Sequence, residues 1–385
     1  MKFFLIYFIL INCSIHLIGD DKIVDKKVVT IKTPNGGIQP QALMDAKGNI
    51  HLIYFSGKNE SGDLFYVNRM AGKEEFSSPI QINKTSGSAV SVGTIRGGQL
   101  ALSKEGRVHV VWNGSSKVKD ANGSPMMYSR MNDVGTAFEP ERNLMQLTTH
   151  LDGGGSITID QAGNIIVAWH AAKIGDKDAA GEEFRQVWTT TSTDGGKTFS
   201  KESLAWDKST GACACCAMRI AADKGGGLDI MYRSASGGNR DIYLLRKNQN
   251  EKLFNGKVLH PWKVGSCPMS TMTFSICPEF FIAGWETDNQ IYFSKFKSND
   301  QNFDIQAVPG QAKSRKHPAI AINSKHEFIV VWAEGTSWAK GGDLAWQVYD
   351  SNGQPTEAKG RVPSGIPVWG LATVVATEKE FIIFY

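Results

Sequence analysis

One short pattern returns seven times between residues 45 and 385: a polar turn, usually of the form D-x-x-G-x, followed by an apolar run that closes on an aromatic residue. The closing aromatics are Tyr54, Trp112, Trp169, Tyr232, Trp285, Trp332 and Tyr385, spaced 58, 57, 63, 53, 47 and 53 residues apart. That period suits a four-stranded sheet with its loops, repeated radially. Most copies follow a short apolar strand, as at 156–159 and 318–322, and several are followed by a third, as at 63–67, 127–129, 241–245 and 290–293. The seventh copy has no room for one, since the sequence stops at Tyr385. Residues 27–33 resemble the fourth strands at 79–82 and 143–147, and can supply an outer strand of the last blade. A ring closed in this way leaves no exposed sheet edge. The expected fold is all-β: a β-propeller of four-stranded antiparallel blades, seven in number with six as the alternative, closed jointly by N- and C-terminal strands.

Composition agrees, with 40 glycines among Val, Ile, Trp, Tyr and Phe runs and no convincing amphipathic helix in 385 residues. A net charge of +4, carried by scattered Lys and Arg, argues against nucleic acid as a partner. Residues 1–19 read as an export signal, one Lys followed by an apolar run too short to span a bilayer comfortably. Leu10-Ile11-Asn12-Cys13 has the Leu and Cys of a bacterial lipobox, with Asn12 a poor match, so a lipid at Cys13 is the one expected membrane attachment. Residues 20–385 then form a single propeller domain, expected as a monomer that is periplasmic, attached to the outer membrane or secreted.

Ser192-Thr-Asp-Gly-Gly-Lys-Thr-Phe199 lies between two strand-like runs and reads S-x-D-G-G-x-T-F. Its Asp and Ser can bond backbone amides, and its glycines accept positive φ. The stretch resembles the Asp-box, or bacterial neuraminidase repeat, of sialidase-like propellers, which joins the third and fourth strands of a blade on the face opposite the active site. If the resemblance extends to activity, it implies a glycoside hydrolase of sialidase type: three arginines holding a carboxylate, a Tyr-Glu nucleophile and an Asp acid/base. Two departures stand out. Sialidases have six blades, and their R-I-P motif is matched here by Gly37-Ile38-Gln39-Pro40, without arginine. Arg96, Arg233 and Arg315 could converge from other blades, with Glu286 or Asp152 as carboxylates, yet a surface or inter-blade salt bridge is the plainer account of each arginine.

In a propeller, the loop leading into strand 1 and the loop leaving strand 2 open on one face, where ligands usually bind. On that face the sequence places Cys213, Cys215, Cys216, Cys267, Met269 and His317, from three neighbouring blades. Soft sulfur beside imidazole suits copper, or zinc if thiolates dominate. An exported chain could instead bridge Cys213 or Cys215 to Cys267, which leaves an odd cysteine once Cys13 is set aside. Trp112, Trp169, Trp285 and Trp332 sit at blade-core spacing and should pack between sheets. The sequence therefore reads as an exported cell-envelope binding protein using the channel mouth, with a glycan, a protein or a metal as ligand. An exo-glycosidase with a non-standard site and a soft-metal protein are the alternatives.

Overall fold

The computed structural model describes residues 24–25, 27–118, 124–176, 181–311 and 313–385. The expected export signal and Cys13 lie outside the described residues. Seven four-stranded sheets form the blades, the third extended by a short strand, Thr148–Thr149, on the end of Ile165–Lys173. Their first strands, Ile38–Met44, Gln99–Leu102, Ser156–Ile159, Arg219–Ala222, Met272–Ile276, Lys316–Ile322 and Thr373–Ala376, each touch the next, and the last touches the first. They line a central channel of about 520 Å³. Helix among the described residues is confined to two three-residue 3-10 turns, Pro34–Gly36 and Glu182–Phe184.

The seven copies occupy equivalent places because each makes the same packing contact. In each second strand the alternate residues face opposite neighbours: Val108, Val110 and Trp112 pack against blade 1, while Val111 faces blade 3. The closing aromatic always faces the preceding blade, so seven aromatics seed seven inter-blade clusters. Trp112, Trp169 and Trp285 are at most 1% exposed. At the opposite end of each second strand lies the polar turn. Asp45 Oδ1 accepts the amides of Lys47 at 2.9 Å and Asn49 at 2.8 Å, with Gly48 at φ 81°. In blade 6 Asn323 plays the same part, and His326 takes the glycine's place at φ 62°.

The Ser192–Phe199 turn joins the third and fourth strands of blade 3, Gln186–Ser192 and Ser203–Leu204. Asp194 Oδ1 accepts the Ser192 hydroxyl at 2.8 Å and the amides of Lys197 and Thr198 at 2.9 Å, while Phe199 meets Tyr128 of blade 2 edge-on at 4.7 Å.

The termini complete blade 7 together, in an order the sequence did not suggest. The Val28–Ile31 strand is third from the axis, paired in parallel with Phe381–Phe384, and Val24–Asp25 forms the outer edge. Val28–Ile31 runs as the fourth strands of the other blades do, since the chain passes from it directly into the first strand of blade 1. With no third strand between, that direction makes the pairing parallel to the second strand.

Candidate site at the mouth of the channel

The loops that lead into first strands and those that leave second strands are knitted into one layer. Arg96 donates from Nε to the Asp152 carbonyl at 2.8 Å and pairs through its guanidinium with the Asp152 carboxylate, which Arg185 approaches at 3.6 Å. Arg233 donates to the carbonyls of Arg240, at 2.7 Å, and of Glu286, and lies 3.4 Å from the Glu286 carboxylate. The two side chains are 0% and 1% exposed. Burial raises the Glu286 pKa while the charge of Arg233 opposes that rise. Arg315 bonds Glu334 at 2.9 Å and lies over the Trp332 ring. Arg96, Arg233 and Arg315 are thus each held by a carboxylate, two of them from the next blade. Neither charged group of the Arg233–Glu286 pair faces open solvent.

The cysteines divide. Cys213, Cys215 and Cys216 lie on one tight turn leading into blade 4, closed by the Cys216 amide donating to the Cys213 carbonyl at 3.2 Å. Sγ of Cys213 is 3.1 Å from that of Cys216 and 3.4 Å from that of Cys215. The turn is pinned from several sides: the Cys213 amide donates to the Arg233 carbonyl at 2.9 Å, the Ala217 amide to the Ser270 carbonyl at 3.1 Å, and the Ala214 amide to Glu182 at 3.1 Å. Gly153 packs so closely that a Cβ there would lie 2.2 Å from the Cys216 carbonyl oxygen. Although burial works against it, hydrogen bonds from the other two thiols and the charge of Arg233 hold the Cys216 pKa well below that of an ordinary thiol. Cys213 and Cys216 are buried and Cys215 is half-buried. Cys267 is exposed and, like the other described cysteines, a free thiol, so the structure holds no Cys213–Cys267 or Cys215–Cys267 bridge.

Met269 and His317 belong to a neighbouring part of the mouth. With Lys316, Thr94, Trp338 and Trp369 they line a narrow crevice of about 10 Å³ on its rim. No histidine joins the three cysteines in the group whose ligand atoms all lie within 4.8 Å, among the described residues. Burial, and then the charge of Lys316, lower the His317 pKa to about 3, so its ring is neutral and its buried Nδ1 has no partner. His170 is likewise lowered to about 4, by burial and then Arg185, with Nε2 3.2 Å from the Cys216 carbonyl.

Two features escaped the sequence reading. Trp338 and Trp369 meet edge-to-face at 4.6 Å, and Trp338 is 55% exposed. They leave the second strand of blade 6 and lead into blade 7, so the loop rule applied to the cysteines would have found them. The second is conformational. Gln39, Thr94, Met269, His317 and Trp369 all take positive φ, between 49° and 65°, on the lead-ins of five blades. Non-glycine residues pay for this with strain that accumulates at functional surfaces. Gln39 and His317 each precede proline as well, where the backbone is further restricted. Gln39 Nε2 donates to the Ser91 carbonyl at 2.6 Å and the Trp369 carbonyl at 2.8 Å, tying blades 7, 1 and 2 together.

No family model matches the chain, and no curated protein matches it. Solved structures do. An α-L-arabinofuranosidase from Fusarium graminearum superposes with a TM-score of 0.56 at 13% identity, covering 86% of this chain and 98% of that one. A protein of unknown function from Dyadobacter fermentans gives 0.55 at 14% identity, over 84% and 97%. A Hadza microbial sialidase gives 0.52 at 12% identity, over 83% and 70%. At such identities the likeness is one of fold alone, that of a β-propeller.

Proposed function

We propose that this sialidase-like propeller is an exported cell-envelope protein that binds a glycan at the channel mouth. The observation that carries the reading is the Trp338–Trp369 pair, open at the rim beside the hydroxyls of Thr94, Thr336 and Ser337. An aromatic face covers the C–H face of a sugar ring, while nearby hydroxyls and amides bond its edge. Trp338, 55% exposed and in contact with a second tryptophan, offers an aromatic face at the rim for such a ring. Two structural neighbours named for glycoside cleavage, the arabinofuranosidase and the sialidase, are consistent with a saccharide ligand.

Binding is favoured over hydrolysis by the state of the charged residues. A glycosidase needs two carboxyl groups flanking the scissile bond. Glu286 is sealed beside Arg233, and Asp152 is held by Arg96 and Arg185. In this reading Arg96, Asp152, Arg233 and Glu286 hold the mouth in shape and do not cleave substrate.

The test is a saccharide panel titrated against wild type and Trp338→Ala. Binding by wild type, weakened about tenfold or more in the variant at unchanged melting temperature, is the expected result, a loss of about 1.4 kcal/mol. No saccharide bound by the wild type would overturn the reading. Turnover of a sialoside or furanoside, abolished in Arg233→Ala of intact fold, would replace it with the hydrolase.

A further inference from the structure

We infer that Cys213, Cys215 and Cys216 form a three-thiolate site for a single copper(I) ion, separate from the tryptophan cleft. The chain converges them by a tight turn, which puts residues i, i+2 and i+3 on one side, with all three Sγ atoms within 4.8 Å of one another. The separations of 3.1 and 3.4 Å are too long for a disulfide, whose sulfurs stand about 2.05 Å apart. They are slightly shorter than the ~4 Å edge of a triangle of sulfurs around a metal at about 2.3 Å, so seating an ion requires only a modest opening.

The surroundings select the metal. No carboxylate or imidazole of the described residues completes the set within ligand reach, and a structural zinc site is closed by four protein ligands. Copper(I) is soft and content with thiolates alone. The turn is fixed before any ion arrives: hydrogen bonds to Arg233, Ser270 and Glu182 hold it from blades 4, 5 and 3, and Gly153 packs against the Cys216 carbonyl. Arg233 lies close enough for its positive charge to act on Cys213 and Cys216, which partly balances the anionic set. Cys215 is half-buried, so the set is partly open to solvent.

The full chain, purified and reduced, should be loaded with copper(I), desalted, and assayed for copper per chain and for retention against a chromogenic copper(I) chelator. One copper per chain is expected, with an ultraviolet thiolate-to-copper band. Retention should fall in Cys216→Ser and Cys215→Ser by at least the roughly 100-fold that loss of a mere supporting group can cost a metal site. Cys267→Ser and Cys277→Ser should retain the metal as wild type does. Cys215 is half-buried, so its variant stays informative if Cys216→Ser fails to fold, and circular dichroism distinguishes the two. The assignment falls if the wild type releases copper to the chelator, if the three-cysteine variants retain it, or if zinc displaces it. A Cys213–Cys216 disulfide that survives reduction of the folded protein and blocks loading, visible as a two-dalton deficit, would overturn it as well.

Discussion

Arg233 and Glu286 show how a single residue pair can look functional and serve the architecture. The pair is fully buried and joins blades 4 and 5, so removing either partner strands a charge in a low-dielectric site, which costs about 3–5 kcal/mol. Arg233→Ala should therefore shift the urea midpoint strongly, and a shift within error of wild type would contradict this role. The buried histidines predict a pH dependence. His109 and His317 have pKa values lowered to about 3, chiefly by burial, against 6.5 in an unfolded chain. Between those values the unfolded state binds more protons, so stability is complete above pH 6.5 and declines as pH falls toward 3. The slope is up to about 1.4 kcal/mol per pH unit for each ring. His317→Gln should remove one ring's share between pH 6.5 and 4, measured by urea unfolding; an unchanged slope would mean that His317 is not held neutral. The sequence presented the individual mouth residues but not which carboxylate each arginine would meet, because two of the three pairs join different repeats.

Partners nevertheless follow a rule at the scale of the element. Arg96 meets Asp152 at a separation of 56 residues, Arg233 meets Glu286 at 53, Glu182 meets Arg240 at 58, and Glu202 reaches the Gln146 amide at 56. Each of these separations is one blade, so these side chains meet their partners in the adjacent repeat, whereas Arg315 meets Glu334 within its own. The strands themselves were legible because every second strand must satisfy both neighbours, which imposes alternation and a closing aromatic. The conformation of the lead-ins was not, because their positive-φ positions include Gln39, Thr94, Met269, His317 and Trp369 beside the expected glycines, and those residue types do not mark a turn. The aromatics give a paired prediction: Trp285→Ala, in the blade 4–5 cluster, should cost about 3–5 kcal/mol. Trp338→Ala on the rim should cost almost nothing in stability and act on ligand alone. Equal losses in thermal unfolding would show that the rim tryptophan is a packing residue.

For the whole molecule, the decisive contact is the parallel pairing of Val28–Ile31 with Phe381–Phe384. Val28 is fully buried among residues of blades 6 and 7, so Val28→Asp puts a charge into the seam that closes the ring. The expected outcome is a protein that aggregates through two open sheet edges, seen as high-mass species in size-exclusion chromatography; a monomer of wild-type stability would show that closure depends on other contacts. The same seam orders events during synthesis. A ribosome releases residue 28 long before it makes residue 384, and until then the Val28–Ile31 strand has only the two-residue Val24–Asp25 hairpin partner and lacks its place in the blade. Six blades can stack as they emerge, but the circle is fastened only once residues 381–384 have emerged, which makes the nascent chain a natural client for factors that shield unpaired strands.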